Sequence, residues 1–557
     1  MSKENRKLEN HERFSNLQQV ASEEIKAQDW KFLIFYAIFG LSSVVLLFYY
    51  LSDTLFHFTT PQQFPINSFT RFPLTVLIFP AELFSLLFGL YFVYTLFTDR
   101  LRNPPPLPLK NRARTRIAIL LPVYHEPKEI VERTLKACRN VRWPGGVKIY
   151  LLDDSTNAPD KRNMAELARK YFCVLVTRKD RVGYKAGNIN HALKNAVMED
   201  FFVILDADQA PEPEFLEKTV DHFSNLSVGF VQTPQYFVNE KSVLERAVKV
   251  GNNIFYHAQC VSKARDGALP FCGTNAVIRT EAFRKVNGFA YYTATEDIEL
   301  GLRMNEAGYH GVYVPHILIK GYAPPDFKAY CSQQYRWANG NLAILRECWL
   351  KILGGKFSLR HQIHTFFTLG WWMIGITTLV YMIVPLISLY TGMSTHHTWL
   401  PTAIIPILYA NVVLGVGMIY MSLQQRTSDK ITLADALLQY SLITNSVFIY
   451  ARAAVNALFK RYIGFVRTNK VKSASSLGLV KWNLLLSAVC FGSSVYALYY
   501  AAVASSITQV RAMLPISVWL LFYSLMLASS IMFVEVRPAI APALAPAVAA
   551  RRQGVAA

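Results

Sequence analysis

Four short stretches of acidic, aromatic and cationic residues follow one another within a single segment of the chain. In order they are Asp153-Asp154, Asp206-Ala207-Asp208, Thr295-Glu296-Asp297 and Gln333-Gln334-Tyr335-Arg336-Trp337. Carboxylates can hold a divalent cation or act as a general base, and an arginine can bind phosphate oxygens through paired hydrogen bonds. The four stretches therefore predict a site that binds a phosphate-bearing substrate and deprotonates a hydroxyl group.

The triplet at 206–208 follows the apolar run 201–205, which is typical of a strand. The alternating geometry of a strand would turn the carboxylates of Asp206 and Asp208 to the same side. Hard divalent cations such as Mg²⁺ and Mn²⁺ take carboxylate oxygens together with phosphate oxygens, so the pair predicts a site for either ion. Taken alone, the triplet could also be a solvated turn at the end of a strand.

Asp153 and Asp154 end the apolar run 149–152. By themselves they could form a turn or cap the helix that follows. Ligands of open α/β sheets bind at the carboxyl ends of the strands. We therefore expect this pair to share one crevice with the acidic triplet at 206–208.

Glu296 and Asp297 precede the helical run 298–302, where acidic residues favour the helix dipole. A carboxylate at the mouth of a pocket is also a suitable general base. Arg336 could pair with a leaving diphosphate and Trp337 could stack on a sugar ring. The pentapeptide alone could equally be an aromatic and cationic anchor at a membrane surface.

Alternating β-rich and helical runs between residues 101 and 360 are expected to position these stretches. The alternation predicts an α/β domain whose sheet is mainly parallel, with crossover helices. The predicted strands are Ile117–Pro122, Lys148–Leu152, Cys173–Thr177 and Phe201–Asp206.

Long apolar runs bracket this domain, and hydrophobic residues make up 52% of the chain. A membrane-spanning helix needs about 20 apolar residues. Six runs reach that length, two before the domain and four after it: 32–52, 73–97, 366–392, 402–423, 483–504 and 513–534. The chain is thus predicted to be a multi-pass membrane protein.

Lysine and arginine number 58 against 38 acidic residues, and they concentrate before the first run, after the second and before the fifth. This placement follows the positive-inside rule rather than indicating nucleic acid binding, and it predicts a cytoplasmic domain and cytoplasmic termini. The apolar stretch 436–458 contains Arg452, which is costly at the centre of a bilayer. We therefore predict that 434–460 is an amphipathic helix at the cytoplasmic interface, the alternative being a seventh span.

These observations predict five segments along the chain. They are a cytoplasmic segment 1–31, two spans within 32–97, the α/β domain with interfacial helices at 98–360, four spans within 361–534, and a disordered tail at 535–557. The seven cysteines show no paired spacing, so neither a zinc site nor a disulfide framework is predicted.

Four further motifs accompany the stretches described above: residues 121–127 (LPVYHEP), 184–188 (YKAGN), 231–234 (VQTP) and 271–274 (FCGT). With them the chain resembles the family 2 processive glycosyltransferases, and its layout is similar to that of the catalytic subunit of bacterial cellulose synthase. The resemblance implies a GT-A fold inserted between transmembrane helices, a UDP-sugar donor, a Mg²⁺ or Mn²⁺ ion, and inversion at the anomeric carbon by direct displacement.

The resemblance also implies roles for individual residues. The donor residues it implies are Tyr124, Glu126, Asp153 or Asp154 for uridine, Lys185 for the diphosphate, and Asp206 and Asp208 for nucleotide and metal. Asp297 would be the base that deprotonates the acceptor hydroxyl. The implied residues for the diphosphate and the acceptor sugar are Gln333, Arg336, Trp337, Cys272, Gly273 and Glu296.

A loop at 461–482 resembles the family's FxVTxK segment, which closes over the donor nucleotide. Phe465, Thr468 and Lys470 match that segment, whereas Arg467 stands where valine is usual. Residues 535–557 carry neither a PilZ domain nor its RxxxR motif, so cyclic di-GMP binding within this chain is not expected. Gln334 and Tyr335 also differ from the QRGRW form of the pentapeptide.

The resulting hypothesis is a processive enzyme of the plasma membrane that makes a β-glucan such as cellulose, curdlan or mixed-linkage glucan from a UDP-sugar and exports it. The growing polysaccharide and membrane lipid are its expected partners. The alternatives are a hyaluronan- or chitin-type synthase that uses UDP-N-acetylglucosamine, and a non-processive transferase acting on a lipid. A transporter with a cytoplasmic insert would give the acidic motifs no role.

Overall fold

The computed structural model describes residues 68–97, 106–354, 357–391, 431–461, 477–504 and 507–534, together with Val45 and Phe48. An α/β domain occupies residues 106–354, and long apolar helices precede and follow it. The predicted terminal segments 1–31 and 535–557 lie outside the described residues.

The α/β domain is built on a seven-stranded sheet with the order β3-β2-β1-β4-β8-β6-β9. Its strands are β1 Ile117–Val123, β2 Val147–Asp153, β3 Val174–Thr177, β4 Phe201–Ile204, β6 Val228–Gln232, β8 Ala276–Arg279 and β9 His310–Tyr313. Strand β8 runs antiparallel to both of its neighbours, and every other neighbouring pair is parallel. The predicted mainly parallel sheet is confirmed.

A second, smaller sheet lies beside the first one. It joins β5 Ala210–Pro211, β10 Ile319–Gly321 and β7 Tyr236–Phe237 in that order. Strand β5 begins two residues after Asp208, so this sheet fixes the chain just beyond the acidic triplet.

The fourth predicted strand was extended too far. Strand β4 ends at Ile204, two residues before the predicted end at Asp206. The backbone N–H of Asp206 donates to the side-chain hydroxyl of Thr274 at 3.0 Å, so it does not continue the ladder. Residues 206–208 consequently lie on a turn, and strand alternation does not orient their carboxylates.

Helices cover both faces of the sheet, as is usual for parallel strands. They are α2 Lys128–Arg139, α3 Ala158–Lys170, α4 Tyr184–Asn195, α5 Phe215–Thr219, α6 Val243–Asn253, α7 Cys260–Arg265, α8 Thr280–Lys285 and α9 Glu296–Glu306, numbered after α1 Ser68–Phe97. Successive residues of β1 enter opposite cores. Ile119 packs in one core with Val131, and Leu120 packs in the other with Ile189.

The domain ends with α10 Phe327–Gly354, which carries the pentapeptide. Beyond it lie α11 Leu359–Gly370, α12 Ile374–Thr391, α13 Leu433–Asn445, α14 Val447–Leu458, α15 Lys481–Ala502 and α16 Ile507–Ala528. Short helical turns at 371–373 and 529–533 extend α11 into α12 and lengthen α16.

Three helical stretches among the described residues are long and apolar enough to cross a membrane: Leu359–Thr391, Lys481–Ala502 and Met513–Phe533. They coincide with the predicted runs 366–392, 483–504 and 513–534. Within α1 the apolar part is shorter, Val76–Phe92. The predicted run 402–423 lies outside the described residues, and 32–52 is described only at Val45 and Phe48.

The stretch 434–460 forms two helices rather than the single helix predicted. Helices α13 and α14 meet at Ser446. The carbonyl of Asn445 accepts a hydrogen bond from the side-chain amide of Asn483 at 2.8 Å, while the N–H of Ile449 donates to Ser446 instead. At 13 and 12 residues, each helix is too short to span a bilayer by itself. The interfacial position remains a prediction.

Candidate active site

The two carboxylates of the acidic triplet have different surroundings. The side chain of Asp206 is 38% exposed, whereas Asp208 is fully buried. Oδ2 of Asp208 accepts a hydrogen bond from the backbone N–H of Tyr322, 3.3 Å away, next to strand β10. Asp206 thus faces the open side of the turn, and Asp208 is fixed to the smaller sheet.

Lys185 joins the turn at 206–208 to the loop at 271–274. Its ammonium group lies 2.5 Å from Oδ1 of Asp206 and 3.0 Å from the carbonyl oxygen of Gly273. Lys185 stands in the first turn of α4, whose N-cap Gly183 has φ 72°. At Gly187 a Cβ atom would lie 1.8 Å from the carbonyl of Val182, so this helix start requires glycine.

Gln232, at the end of β6, holds the loop that contains Cys272. Its amide nitrogen donates to the carbonyl of Thr274 at 2.8 Å, and its amide oxygen accepts from the N–H of Cys272 at 3.0 Å. Gln232 is completely buried. Gln232 belongs to the VQTP motif, whose sequence alone gives this residue no role, and the structure shows that it shapes the loop beside Lys185.

Asp297 lies against this same loop. Gly273 has φ 73°, and a Cβ atom there would come within 2.5 Å of Oδ2 of Asp297. Oδ1 of Asp297 accepts a hydrogen bond from the N–H of Ile298 at 2.9 Å, in the first turn of α9. Through Gly273, the structure brings the third acidic motif next to Lys185 and the second.

The electrostatic surroundings connect Asp297 to the pentapeptide. Burial and the charge of Asp297 raise the pKa of Glu296 to about 7, against the opposing effects of Lys185 and Arg336. Burial raises the pKa of Asp297 as well, while the N–H of Ile298, Lys185 and Arg336 act in the opposite direction. A carboxylate with a raised pKa beside two cations is suited to general base catalysis near neutral pH.

The pentapeptide is divided between the site and a neighbouring helix. Arg336 lies close enough to influence both carboxylates of α9. The side chain of Gln334 instead accepts a hydrogen bond from Tyr450 on α14 at 3.0 Å, and the hydroxyl of Tyr335 accepts one from Asn456 at 2.6 Å. Trp337 packs on an apolar cluster that includes Tyr450. Gln333 is partly exposed on the same helix.

Asp154 is held by an arginine that the sequence analysis missed. The Nε and one terminal nitrogen of Arg178 donate to the two carboxylate oxygens of Asp154 at 2.8 and 2.6 Å, and both side chains are buried. Arg178 also donates to the carbonyls of Val182 and Tyr184 at 2.7 Å each. Asp153, also buried, accepts a hydrogen bond from the N–H of Ser155 at 2.8 Å.

The loop after β1 brings Tyr124 beside the basic segment that precedes α4. The guanidinium of Arg181 lies over the ring of Tyr124, 3.5 Å from its centroid. His125 adopts φ 53° and its Nδ1 lies 2.6 Å from Oδ2 of Asp160. Glu126, the next residue, is partly buried. The predicted uridine residues therefore lie at the ends of β1 and β2, on the edge of the sheet that also carries 206–208.

A divalent cation fits the acidic triplet only if the substrate supplies further ligands. Among the described residues no group of three or more His, Cys, Asp or Glu side chains could hold a metal ion. Asp206 and Asp208 supply two carboxylates, and Mg²⁺-type sites are commonly completed by substrate phosphates and water. The predicted loop residues Phe465, Thr468 and Lys470 lie outside the described residues.

Residues 201–417 match the family model described as "Glycosyl transferase family group 2". The matched stretch includes the acidic triplet, Asp297 and the pentapeptide.

Two kinds of curated protein are similar to the chain. A cellulose synthase catalytic subunit (UDP-forming) from Xanthomonas axonopodis pv. citri is 31% identical over 292 residues, which are 51% of this chain and 39% of that protein. A probable glucomannan 4-beta-mannosyltransferase from Oryza sativa subsp. japonica is 31% identical over 278 residues, 45% of this chain and 48% of that protein. The chain thus spans less than half the length of these relatives.

Among solved structures, the mannosyltransferase PcManGT from Pyrobaculum calidifontis in complex with GDP-Man and Mn²⁺ is 18% identical, with a TM-score of 0.47. The similarity covers 70% of this chain and 100% of that one.

Proposed function

We propose that this chain, which carries a glycosyltransferase family 2 domain, polymerises glucose from UDP-glucose into a β-glucan and inverts the anomeric carbon at each transfer. The premise is the family match over residues 201–417. That match and the mainly parallel sheet also confirm the predicted GT-A-like glycosyltransferase domain.

The observation that carries the proposal is the convergence of a base with phosphate-binding cations. Asp297 lies against Gly273, whose carbonyl accepts a hydrogen bond from Lys185, and Arg336 is close enough to oppose the rise in the pKa of Asp297 that burial causes. A hydroxyl that attacks a sugar must lose a proton, and a departing nucleoside diphosphate must have its negative charge balanced. Both requirements can be met within this one site.

In the proposed reaction Asp297 takes the proton of an acceptor hydroxyl as its oxygen attacks the anomeric carbon. The bond between that carbon and the diphosphate oxygen breaks on the opposite face, which gives inversion. Lys185 and Arg336 bind the departing diphosphate. A Mg²⁺ or Mn²⁺ ion held by Asp206 and Asp208 would supply further positive charge when bound.

The remaining roles are proposed from position. Tyr124, Glu126 and Asp153 lie where a uridine would contact the ends of β1 and β2. Asp154 acts through Arg178, because both of its oxygens already accept hydrogen bonds from that residue.

On the acceptor side the proposal includes the loop held by Gln232 and part of the pentapeptide helix. The residues assigned to the acceptor are Cys272, Gly273, Glu296 and Trp337, with Gln333 and Arg336 at the diphosphate. Phe465, Thr468 and Lys470 are proposed to cover the donor, as their resemblance to the FxVTxK loop implies.

A membrane setting is part of the proposal. The three long apolar helices Leu359–Thr391, Lys481–Ala502 and Met513–Phe533 make the chain a candidate membrane protein. We propose a multi-pass topology in the plasma membrane with the catalytic domain in the cytoplasm, which follows from the distribution of lysine and arginine. Export of the polymer through these helices belongs to the same proposal.

Synthesis of a mannose-containing polymer is a second candidate function. The glucomannan 4-beta-mannosyltransferase and the cellulose synthase subunit are each 31% identical to the chain over the matched residues. The two activities differ in the sugar that is transferred, while the base and the diphosphate-binding cations would serve both.

The deciding experiment measures incorporation of radiolabel into insoluble polymer by the purified, detergent-solubilised protein with Mg²⁺ or Mn²⁺. Parallel reactions contain UDP-glucose, GDP-mannose, or UDP-N-acetylglucosamine with UDP-glucuronate. Label from UDP-glucose in a product that linkage-specific glucanases degrade would support the first proposal and identify the linkage. Incorporation from GDP-mannose alone would support the second, and incorporation from neither would contradict both.

A further inference from the structure

We infer that Arg181 is a donor-binding residue that pairs with the diphosphate of the nucleotide sugar. The inference rests on the proposed function, since it assumes a nucleoside diphosphate sugar as the donor. Arg181 lies outside the motifs described above. The inference follows from a comparison of the hydrogen-bond partners of Arg178, Arg181 and Lys185 within the segment 178–185.

The segment 178–185 contains four cationic residues, Arg178, Lys179, Arg181 and Lys185, and two of them, Arg178 and Lys185, are paired with carboxylates at the ends of strands β2 and β4. Arg178 gives its hydrogen bonds to Asp154 and to two carbonyls. Lys185 is bonded to Asp206 and to the carbonyl of Gly273. Their charges are therefore balanced within the protein.

Arg181 differs from its two neighbours. Within the part of the chain that the structure describes, its contacts are aromatic: its guanidinium lies 3.5 Å from the ring centroid of Tyr124 and 5.7 Å from that of Tyr184. Its Nε is buried and has no hydrogen-bond partner there. A buried donor without an acceptor is unfavourable, so the position is suited to a ligand that supplies one.

The stacking also determines which part of a ligand Arg181 can contact. The N–H groups of a guanidinium lie in the plane of a rigid fork and point outward from its edges, where an anion can reach them. Phosphate oxygens match that fork through two parallel hydrogen bonds. Because the guanidinium covers this face of Tyr124, a base cannot stack there without displacing it.

The neighbourhood adds to the positive potential. Tyr184 is the first residue of α4, and the N–H groups at the start of a helix favour an anion. The donor carries its negative charge on the diphosphate. A diphosphate placed between Arg181 and Lys185 would connect the Tyr124 side of the pocket to Asp206.

The test compares the affinities of the purified full chain for UDP and for uridine, measured by calorimetric titration with Mn²⁺ present. We expect Arg181→Gln to weaken UDP binding at least tenfold and to leave uridine binding within twofold of wild type. Arg181→Lys keeps the charge but loses the fork, so its loss of UDP affinity should be intermediate.

Arg139→Gln is the matched control, because Arg139 lies over the ring of Phe172 at 5.9 Å on an exposed surface. It should bind both ligands like wild type, and thermal unfolding verifies that each variant is folded. An equal loss of UDP and uridine affinity in Arg181→Gln would assign Arg181 to the nucleoside and overturn the inference. Unchanged binding of both would also overturn it.

Failure of the proposed donor gives a different result. A wild-type protein that binds GDP and not UDP would contradict the UDP-glucose proposal, and the same variants titrated with GDP and guanosine would then test Arg181. The two conclusions can therefore fail separately.

Discussion

The ammonium group of Lys185 lies 2.5 Å from Oδ1 of Asp206, so a lysine neutralises the first carboxylate of the acidic triplet when no cation is bound. The same ammonium reaches the carbonyl of Gly273, which packs against Asp297. One side chain thus links the proposed metal-binding turn to the proposed base.

This link predicts competition between Lys185 and a metal ion. Lys185→Met removes the ammonium group that is bonded to Oδ1 of Asp206 and would compete with a cation for it, so we expect tighter Mn²⁺ binding in the absence of nucleotide. Binding of UDP should weaken by about 10- to 150-fold, because a charge-assisted hydrogen bond to phosphate, worth about 1.5–3 kcal/mol, is lost. Paramagnetic resonance of free Mn²⁺ and titration with UDP measure the two effects.

The control for that prediction is Lys170→Met, which removes a lysine from an exposed pair with Glu132, whose nitrogen–oxygen distance is 2.6 Å. It should change neither affinity. Weaker Mn²⁺ binding in Lys185→Met would contradict the competition and assign Lys185 a supporting role at the metal.

Replacement of the proposed base separates binding from chemistry. Asp297→Asn should lower polymer synthesis by about 100- to 10,000-fold, the usual contribution of a general base. Its affinity for UDP should remain near that of wild type. Incorporation of labelled sugar and titration with UDP measure these outcomes.

Asp200→Asn is the matched control for Asp297→Asn, because Asp200 accepts a hydrogen bond from the N–H of Arg116 beside the start of β4, away from the site. Synthesis by this variant should resemble that of wild type. An Asp297→Asn protein that still makes polymer at the wild-type rate would show that another group is the base.

Glu296 predicts a specific pH dependence of stability. Its pKa is about 7 in the folded protein and about 4.3 in an unfolded chain. The folded state therefore binds more protons between these values, and this group makes the free energy of unfolding fall as the pH rises from about 4.3 to 7. Glu296→Gln has no titrating carboxyl group at this position, so its free energy of unfolding does not show this decrease with rising pH.

We accordingly expect Glu296→Gln to gain stability relative to wild type as the pH is raised through that window, measured by thermal unfolding at pH 5 and pH 7.5. A difference in melting temperature that does not change with pH would contradict the raised pKa of Glu296.

The raised pKa of Asp297 predicts the pH profile of polymer synthesis. On acidification, the rate of synthesis should decline at a higher pH than an aspartate with an ordinary pKa would give.

The buried pair of Asp154 and Arg178 predicts a large effect on stability. Removing one partner leaves a buried charge uncompensated, which costs about 3–5 kcal/mol. Arg178→Met should therefore lower the melting temperature clearly. Arg142→Met, which breaks an exposed pair with Glu217, should have little effect, and equal effects of the two changes would contradict the importance of burial.

The sequence predicts four of the seven strands of the main sheet, β1 to β4, because their signal is local. Apolar runs bounded by polar residues place the four predicted strands to within two residues. The end of β4 was placed too late because the hydroxyl of Thr274, about 70 residues away in the chain, takes the N–H of Asp206. The break at Ser446 was missed for the same reason, since Asn483 supplies the hydrogen bond that ends α13.

The residues of the candidate site also divide into those that local sequence identifies and those that only distant partners identify. The acidic motifs can be recognised in the sequence from their residue types, and two of them also from their position directly after an apolar run. Gln232, Arg178 and Arg181 are not recognisable in this way, because a buried glutamine, a paired arginine or an arginine stacked on a tyrosine is identified only from partners that are distant in sequence. A basic run just before the YKAGN motif was the available signal for the two arginines.

The pentapeptide on helix α10 also determines how this helix is oriented against α14. A helix turns by about 100° per residue, so the bonds of Gln334 to Tyr450 and of Tyr335 to Asn456 fix the rotation at which Arg336 faces Asp297. Exchange of the two middle residues for the Arg-Gly of the QRGRW form would thus be tolerated only with compensating changes on α14. Variation at these positions and on α14 should accordingly be correlated among homologous chains, while a one-residue deletion earlier in α10 would abolish activity with every motif intact.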